Sequence, residues 1–598
     1  MASRRTARAG PVDLGRAPFA PQVLREYALL ADGERGVLIG PQGECVWMCL
    51  PRWESGAVFA SLIGGAGGYA VTPLTRFVWG GWYETGSLIW HSRWVTDEGI
   101  IECREALAYP GDPHTAVLLR RVIAVRGAAR VRATLEVRAD YGSRRMSRVQ
   151  ATDGVWTAHS GAVHLRWTGA PRATRTGTGP LDTTITVPEG AVHDLVLELS
   201  DRTLGPPTPA DELWQQTEHQ WSRVVPDAAG SIAARDAQHA HAVLRGLTPA
   251  SGGTVAAATM SLPERAEQGR NYDYRYAWIR DECYVGQAAA ASGGDALLDR
   301  TVAFVAERLL ADGPHLQPAY TASGARVPDE TELPLPGYPG GGARTGNWVN
   351  GQFQLDTFGE ALLLFGAAGR RDRLDSTHLR AVGQAVTAIE QRWAQPDAGI
   401  WELGDARWAH SRLMCAAGLR GVAGIASRTD ASRWTALADA IVADTAATCT
   451  HPSGRWQRAN NDTRVDCALL LAAIRGAVPE DDPRTVATYE AVRAELGSDG
   501  YVYRFRQDAR PLSAAEGAFL LCGFLMALAA HQQGHPVEAM RWFERNRAAC
   551  GPPGLFTEEY DVDQRQLRGN LPQAFVHAAL LESSVRLAQP WTTVRHWR

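Results

Sequence analysis

Lysine is absent from the 598 residues of this chain. That absence removes the chemistries that run through a lysine amine: a P-loop lysine over phosphates, a Schiff-base aldolase, a pyridoxal-phosphate enzyme. The 61 basic residues are therefore all arginines, and 65 acidic residues leave a net charge of −4. With no basic tail, nucleic acid is not expected as a main partner. Long apolar runs are missing too, since none approaches the roughly 20 residues a membrane helix needs. No apolar run follows Arg4-Arg5 to make a secretory signal. The expectation is a soluble, cytoplasmic protein without a membrane contact. Cysteine is scarce and odd in number, at nine. Several cysteines, Cys415 and Cys522 among them, sit in apolar runs, which suits buried thiols in a reducing compartment better than a disulfide framework. Cys45 and Cys49 lack a second ligand pair nearby. His239 and His241 fall in a helical pattern, where an i,i+2 pair does not share a face. No metal and no cofactor are expected.

What is present exceeds one ordinary domain. From Tyr27 to about Val224 the chain reads as short alternating or β-branched runs separated by Gly, Pro and Asp. Val37–Ile39, Cys45–Met48, Ser87–Trp90, Ala116–Leu119, Val131–Val137, Val163–Trp167 and Leu195–Leu199 are examples, and they predict an antiparallel β-sandwich. A proline-rich break at Gly205–Pro209 precedes a linker helix near Asp211 to Arg223. After about Asp227 helices take over, near 233–246, 278–292, 298–311, 349–368, 376–393 and 409–427. Six more fall near 431–449, 464–477, 483–496, 514–534, 536–549 and 572–588. Twelve helices in sequence predict six hairpins closed into an (α/α)6 barrel. The inner helices of such a ring should be apolar nearly all round, and the even-numbered ones fit. The predicted organisation is a lead-in over 1–19, the β-sandwich over 20–205, a linker with its helix over 206–230 and the barrel over 231–590.

The unusual polar residues gather where the even-numbered helices begin. Arg280 and Asp281 open the second, and Tyr338, Arg344, Asn347 and Gln352 approach the fourth. Trp401 and Glu402 lead into the sixth, and Asn460, Asn461, Asp462 and Asp466 into the eighth. Glu516 opens the tenth, and Glu558, Glu559, Tyr560 and Asn570 precede the twelfth. If the ring closes, these meet at one mouth, and side chains converging from several elements are what a ligand pocket requires. The glycine-rich Pro339–Arg344 stretch neither follows a strand nor opens a helix, so it reads as a mouth loop and not a phosphate cradle.

The densest stretch is Asn271 to Glu282, Asn-Tyr-Asp-Tyr-Arg-Tyr-Ala-Trp-Ile-Arg-Asp-Glu. Flat aromatic faces beside charged hydrogen-bonding groups suit a pyranose ring, with its apolar C–H faces and rim of hydroxyls. Carboxylates and aromatics without a metal cluster point to glycoside hydrolysis by two acids. One must hold a proton for the departing oxygen, which apolar surroundings favour, and Glu402 follows Ile400-Trp401. The other must be ionised to activate water, and Glu558 lies in a polar loop. A lone Glu is ordinarily a solvated surface charge; these two sit in mouth loops beside aromatic residues.

These segments resemble glycoside hydrolase family 15, the glucoamylase and bacterial trehalase family, over nearly the whole chain. Asn271–Asp281 is similar to the family's Asn-Trp-Asp-Tyr-Arg-Tyr-x-Trp-x-Arg-Asp. Gly399–Glu402 resembles the general-acid segment, and Gly554–Glu559 with Gly569–Phe575 the general-base region. Tyr27–Asp32 and Cys49–Arg52 resemble the start of the bacterial members. The resemblance implies a β-sandwich followed by an (α/α)6 barrel, and hydrolysis with inversion. It implies Glu402 as general acid and Glu558 as base, with Arg280 and Asp281 holding glucose hydroxyls and Tyr274, Tyr276 and Trp278 shaping that subsite. Arg344, Asn347, Trp401 and Glu559 complete the expected substrate-binding set.

The chain departs from the family at Tyr272, where Trp is usual, and has no His within Glu332–Pro336. Arg412 and Ala416 replace a lysine and a tryptophan, and Leu525 replaces another tryptophan. These changes are expected at leaving-group subsites. The leading reading is an exo-acting, inverting hydrolase releasing β-glucose from trehalose or short α-gluco-oligosaccharides. A glucoamylase- or glucodextranase-type activity on malto- or isomalto-oligosaccharides, a glycoside phosphorylase and a non-catalytic sugar-binding protein stand as alternatives. Glu558 counts against the phosphorylase, which has no base carboxylate. The partner is a small carbohydrate; the oligomeric state, a homo-oligomer included, is left open.

Overall fold

The computed structural model describes residues 19–265 and 269–591, so nearly all of the expected lead-in lies outside the described residues. The N-terminal part is two antiparallel eight-stranded sheets. One runs from Ala28–Ala31 through Gly36–Ile39, Glu44–Cys49, Gly68–Pro73 and Ala129–Glu136 to Leu181–Val187 and Thr174–Arg175, with Ala57–Phe59 paired to Glu44–Cys49. The other runs Met146–Thr152, Val155–Ser160, Val163–Thr168, Val192–Ser200, Thr115–Arg126, Ile100–Leu107, Trp90–Thr96, Phe77–Tyr83. Side chains alternate between faces, and this sets the layers. Leu30, Val37 and Met48 point into the sandwich core with Leu118, Leu135, Trp167 and Leu197. Leu29, Ala31, Leu38 and Trp47 point the other way and join the core of the helical part. The first strand is therefore buried on both faces, which is why Ala28–Ala31 is apolar throughout. Ser87–Ile89, expected in a strand, is a turn, with Ser87 Oγ accepting from the Ile89 amide.

Helix α1 (Ala210–Val224) crosses from the sandwich to the ring. The ring comprises α2 (Ala234–Gly246), α3 (Ile279–Ser292), α4 (Asp295–Asp312), α5 (Asp356–Arg370), α6 (Ser376–Arg392), α7 (Ala409–Ala423) and α8 (Arg428–Cys449). It continues with α9 (Leu471–Ile474), α10 (Pro483–Glu495), a short α11 (Leu512–Ala515), α12 (Leu520–Gln532), α13 (Pro536–Arg547) and α14 (Ala574–Arg586). The inner set packs in a closed circuit: α3 on α5, α5 on α7, α7 on α9, α9 on α12, α12 on α14, and α14 back on α3. The remaining six long helices lie outside, and all but α2, whose last seven residues are all buried, bury mainly one face. In α6 that stripe is Ala381, Val382, Ala385, Val386, Ala388 and Ile389, spaced as a helix face requires. Helices α5 and α7 approach closely through glycine. A Cβ on Gly359 would stand 2.4 Å from the Met414 backbone, and one on Gly418 2.4 Å from the Gly359 carbonyl.

Three inner helices differ from expectation. The fourth begins at Asp356, not near 349, because 348–351 form a separate 3-10 turn capped by Asn347. The eighth is a 3-10 turn, Cys467–Leu470 with Asp466 as N-cap, running into only four α-helical residues. The tenth begins at Leu520, because Ala518–Phe519 pairs as a strand with Glu559–Tyr560. Eight of the nine cysteines are buried and all nine are free thiols. No helix among the described residues is long and apolar enough to cross a membrane.

Candidate active site

A cavity of about 300 Å³ opens at the mouth formed by the N-terminal ends of the inner helices. Its first wall is the stretch from 271 to 278, which runs extended beside 256–261. The Ala256, Ala257 and Ser261 amides donate to the Tyr276, Tyr274 and Tyr272 carbonyls at 2.8 Å. Extended backbone sends neighbours to opposite sides. Tyr272, Tyr274 and Trp278 line the cavity, with Tyr272 and Tyr274 stacked at 6.2 Å and Tyr274 edge-on to Trp278 at 5.5 Å. Asp273 and Arg275 turn away, fully buried as an ion pair at 2.7 Å. Arg275 there donates to the Ser55 carbonyl at 2.8 Å and the Tyr141 hydroxyl at 3.2 Å, both in the sandwich. Tyr276 packs behind the wall against Ala256, Val327 and Val349 and does not line the cavity, which corrects its expected subsite place.

Helix α3 starts in the cavity floor. Arg280 donates to Gln354 Oε1 and Asp356 Oδ2, each at 2.9 Å, which fixes its guanidinium. Asp281, in the first turn, sits where the helix dipole favours a negative group. Burial nevertheless pushes its carboxyl up to about 7, with Arg280 opposing and Glu402 adding to the rise. Its Oδ1 has no hydrogen-bond partner among the described residues, nor do the Tyr284 hydroxyl and Gln573 Oε1, also on the cavity wall. Buried polar atoms left in this way cost free energy until paired, so these three atoms are open to the polar groups of a ligand.

Glu402 lies in a tight turn after Gly399, with both residues at positive φ (52° and 68°). A non-glycine residue held there is strained, and such strain concentrates at functional sites. Its Oε1 accepts from Trp278 Nε1 at 2.7 Å and Gln354 Nε2 at 3.1 Å, with Arg280 at 3.8 Å. Oε2 takes none of these bonds. Beside it, Trp401 is fixed by its Nε1 donating to both Asp466 oxygens at 3.0 Å and by an edge contact to Phe519 at 5.2 Å.

Glu558 lines the same cavity. Its Oε2 is 3.2 Å from the Tyr274 hydroxyl, which is also 3.2 Å from Glu264 Oε1. Burial and then the Glu264 charge push the Glu558 carboxyl well above the usual range, with Arg504 opposing. Glu559, one residue on, points the other way: it is fully buried, accepts from Arg270 and from the Gly517 amide, each at 2.9 Å, and does not line the cavity. This corrects its expected role as a substrate ligand. Arg344 is likewise displaced, pairing with Glu330 at 3.1 Å in a small two-stranded bridge. Asn347 does line the cavity, where it caps the 3-10 turn by accepting from the Val349 amide at 3.1 Å. Tyr338 donates to the Gln22 carbonyl at 2.7 Å, away from the site.

Of the family departures, only Tyr272 reaches the cavity. Arg412 is buried against Asp444 at 2.8 Å, and Ala416 and Leu525 belong to the core. The expectation that these changes cluster at leaving-group subsites is therefore corrected. Glu264, Arg270, Tyr284, Gln354, Arg504, Phe519 and Phe575 join the site without having been expected there. Glu264 stands in Leu262-Pro263-Glu264-Arg265, directly ahead of the aromatic stretch, and was legible on that ground. Arg504 sits in Tyr501–Phe505, an alternating run that reads as a strand. It pairs with Glu516 at 2.6 Å and lies 4.8 Å over the Phe519 ring.

The described fold and site have counterparts among known proteins. The family model "Glycosyl hydrolases family 15" matches residues 238–585, and "Trehalase-like, N-terminal" matches residues 18–219. The trehalase of Mycobacterium tuberculosis is 31% identical over 629 residues, covering 96% of this chain and 90% of that one. The trehalase of Mycolicibacterium smegmatis is 30% identical, covering 96% and 92%. A crystal structure of bacterial glucoamylase complexed with acarbose superposes with a TM-score of 0.71 at 14% identity, covering 99% of this chain and 98% of that chain; that likeness shows the fold. The family match and the two trehalase relatives make this chain a glycoside hydrolase. The chain belongs to glycosyl hydrolases family 15.

Proposed function

We propose that this enzyme hydrolyses trehalose by single displacement at one anomeric carbon, with Glu402 as general acid and Glu558 as general base. The observation that carries the reading is the placement of both carboxylates on one aromatic-walled cavity, in a chain similar over 96% of its length to trehalases. Trp278 and Gln354 occupy Glu402 Oε1, which leaves Oε2 to pass its proton to the glycosidic oxygen as the C1–O bond breaks. Water enters from the opposite face and gives its proton to Glu558, as inversion demands. Arg280, Asp281 and Tyr284 surround the hydroxyls of the glucose being cleaved, with Tyr274 and Trp278 against its face. Asn347 and Trp401 contribute to the wall. The buried free thiols fit a cytoplasmic setting. The test is to incubate the purified protein with trehalose, maltose, isomaltose and dextrin and to follow free glucose. Trehalose is expected to be cleaved fastest; a clear preference for maltose or isomaltose would move the enzyme to a glucoamylase- or glucodextranase-type activity.

A further inference from the structure

Around Glu558 the carboxylates outnumber the cations. Arg270 bridges Glu264 at 2.7 Å and Glu559 at 2.9 Å, and Arg504 bridges Glu516 at 2.6 Å and Glu559 at 3.7 Å. Three carboxylates, Glu264, Glu516 and Glu559, thus share two guanidinium groups, and Glu558 beside them is a fourth with neither. Among the described residues no arginine stands within ion-pair range of Glu558. Its one side-chain bond is to Tyr274, whose hydroxyl is equally near Glu264. A phenol carries a single proton to donate. Both carboxyls stand at hydrogen-bond distance from it, so the phenol's proton serves one contact, and a second bond at the same moment would need a proton on a carboxyl.

We propose that Glu264 is a positioning residue that shares one proton with Glu558 through the Tyr274 hydroxyl and thereby decides when Glu558 is free to act as base. The inference rests on the hydrolase reading of Glu558. The exchange is balanced. Glu558 gives its carboxyl proton to the Tyr274 oxygen as Tyr274 gives its own to Glu264 Oε1, so the phenol stays neutral and the charge moves from Glu264 to Glu558. Arg270 on Glu264 Oε2 favours charge on Glu264 and draws the proton to Glu558 in the free enzyme. The rise of the Glu558 carboxyl and of the Tyr274 phenol agrees in sign with this arrangement. The other groups facing the pair are Tyr272 on the same wall, Glu559 and Arg504 behind, and Glu402 across the cavity. The acidic limb of the pH profile therefore reports Glu558 with the Glu264 charge beside it.

The test is the pH dependence of kcat/KM, which reports groups of the free enzyme. A base works ionised, so activity falls as pH drops through its pKa. In Glu264→Gln the neighbouring charge is gone and the amide can donate to Tyr274, turning the phenol proton towards Glu558. The acidic limb is then expected to move to lower pH by about one unit or more. Glu264→Asp keeps the charge but withdraws it from Tyr274 and should move the limb partway in the same direction. It carries the test if circular dichroism shows that the amide variant is unfolded. A limb that stays in place in the folded variant, with kcat/KM lowered equally at every pH, would overturn the proposal and leave Glu264 a cavity-shaping group. Glu558→Gln separates this from the parent reading: if it retains near-normal activity, the assignment of the base fails, whatever Glu264 does.

Discussion

Glu402 and Glu558 meet the cavity under opposite conditions. Glu402 presents one free oxygen, the other being held by two donors; Glu558 is buried among like charges. The pair is proposed to divide acid and base work, so each amide substitution should remove a proton transfer while keeping shape. Glu402→Gln and Glu558→Gln are each expected to lower kcat by roughly 10²–10⁴-fold, with KM little changed, measured as initial glucose release from trehalose. The aromatic stretch was legible as part of the cavity wall, but its two sides were not. Alternation puts Tyr272 and Tyr274 on the cavity side and Asp273 and Arg275 on the sandwich side, but it breaks at the bend of Tyr276, which has the parity of the cavity side and packs behind the wall before Trp278 returns to it. Glu558 and Glu559 posed the same difficulty as adjacent glutamates on opposite faces.

At the scale of the element, most of the ring's helices were readable because long periodic runs carry their own signal, while the eighth is a 3-10 turn and four α-helical residues. The inner ones stood out as apolar on every side. The mouth ends of three were not readable, because there a local cap or a tertiary pairing overrides the helical period. Asn347 caps a separate turn, Asp466 nucleates a 3-10 start, and Ala518–Phe519 is drawn into a strand by Glu559 and Tyr560. Where helices touch through glycine, the packing is testable. Gly359→Ala would press a methyl group against the Met414 backbone, which has no flexible end to move aside. The expected cost is about 1–3 kcal/mol, visible as a lower urea midpoint. An unchanged midpoint would mean that α5 and α7 are not in the contact described.

For the whole molecule, the sandwich keeps its own core and lends the outer face of its first sheet to the core of the barrel, and the aromatic stretch joins the two. Trp47 of the sandwich donates to the Ala258 carbonyl at 2.9 Å, and Arg275 of the barrel reaches back to Ser55 and Tyr141. Arg275→Met removes a fully buried cation and leaves Asp273 uncompensated, which costs roughly 3–5 kcal/mol. Because Asp273 lies between two residues of the sugar wall, activity is expected to fall with stability, measured together by urea unfolding and trehalose hydrolysis. Full stability in this variant would sever the proposed link between domain docking and the site.

The central claim, single displacement on an α-linked glucoside, is tested most directly by the anomers first formed. Trehalose joins two α-glucose units through both anomeric carbons. Inversion at one carbon releases β-glucose from the attacked ring and α-glucose from the leaving ring. Proton NMR within the first minutes, before mutarotation mixes the forms, should show α- and β-glucose appearing in equal amounts. Initial release of α-glucose alone would contradict the account, for it would require retention at the attacked carbon and a different division of labour between Glu402 and Glu558.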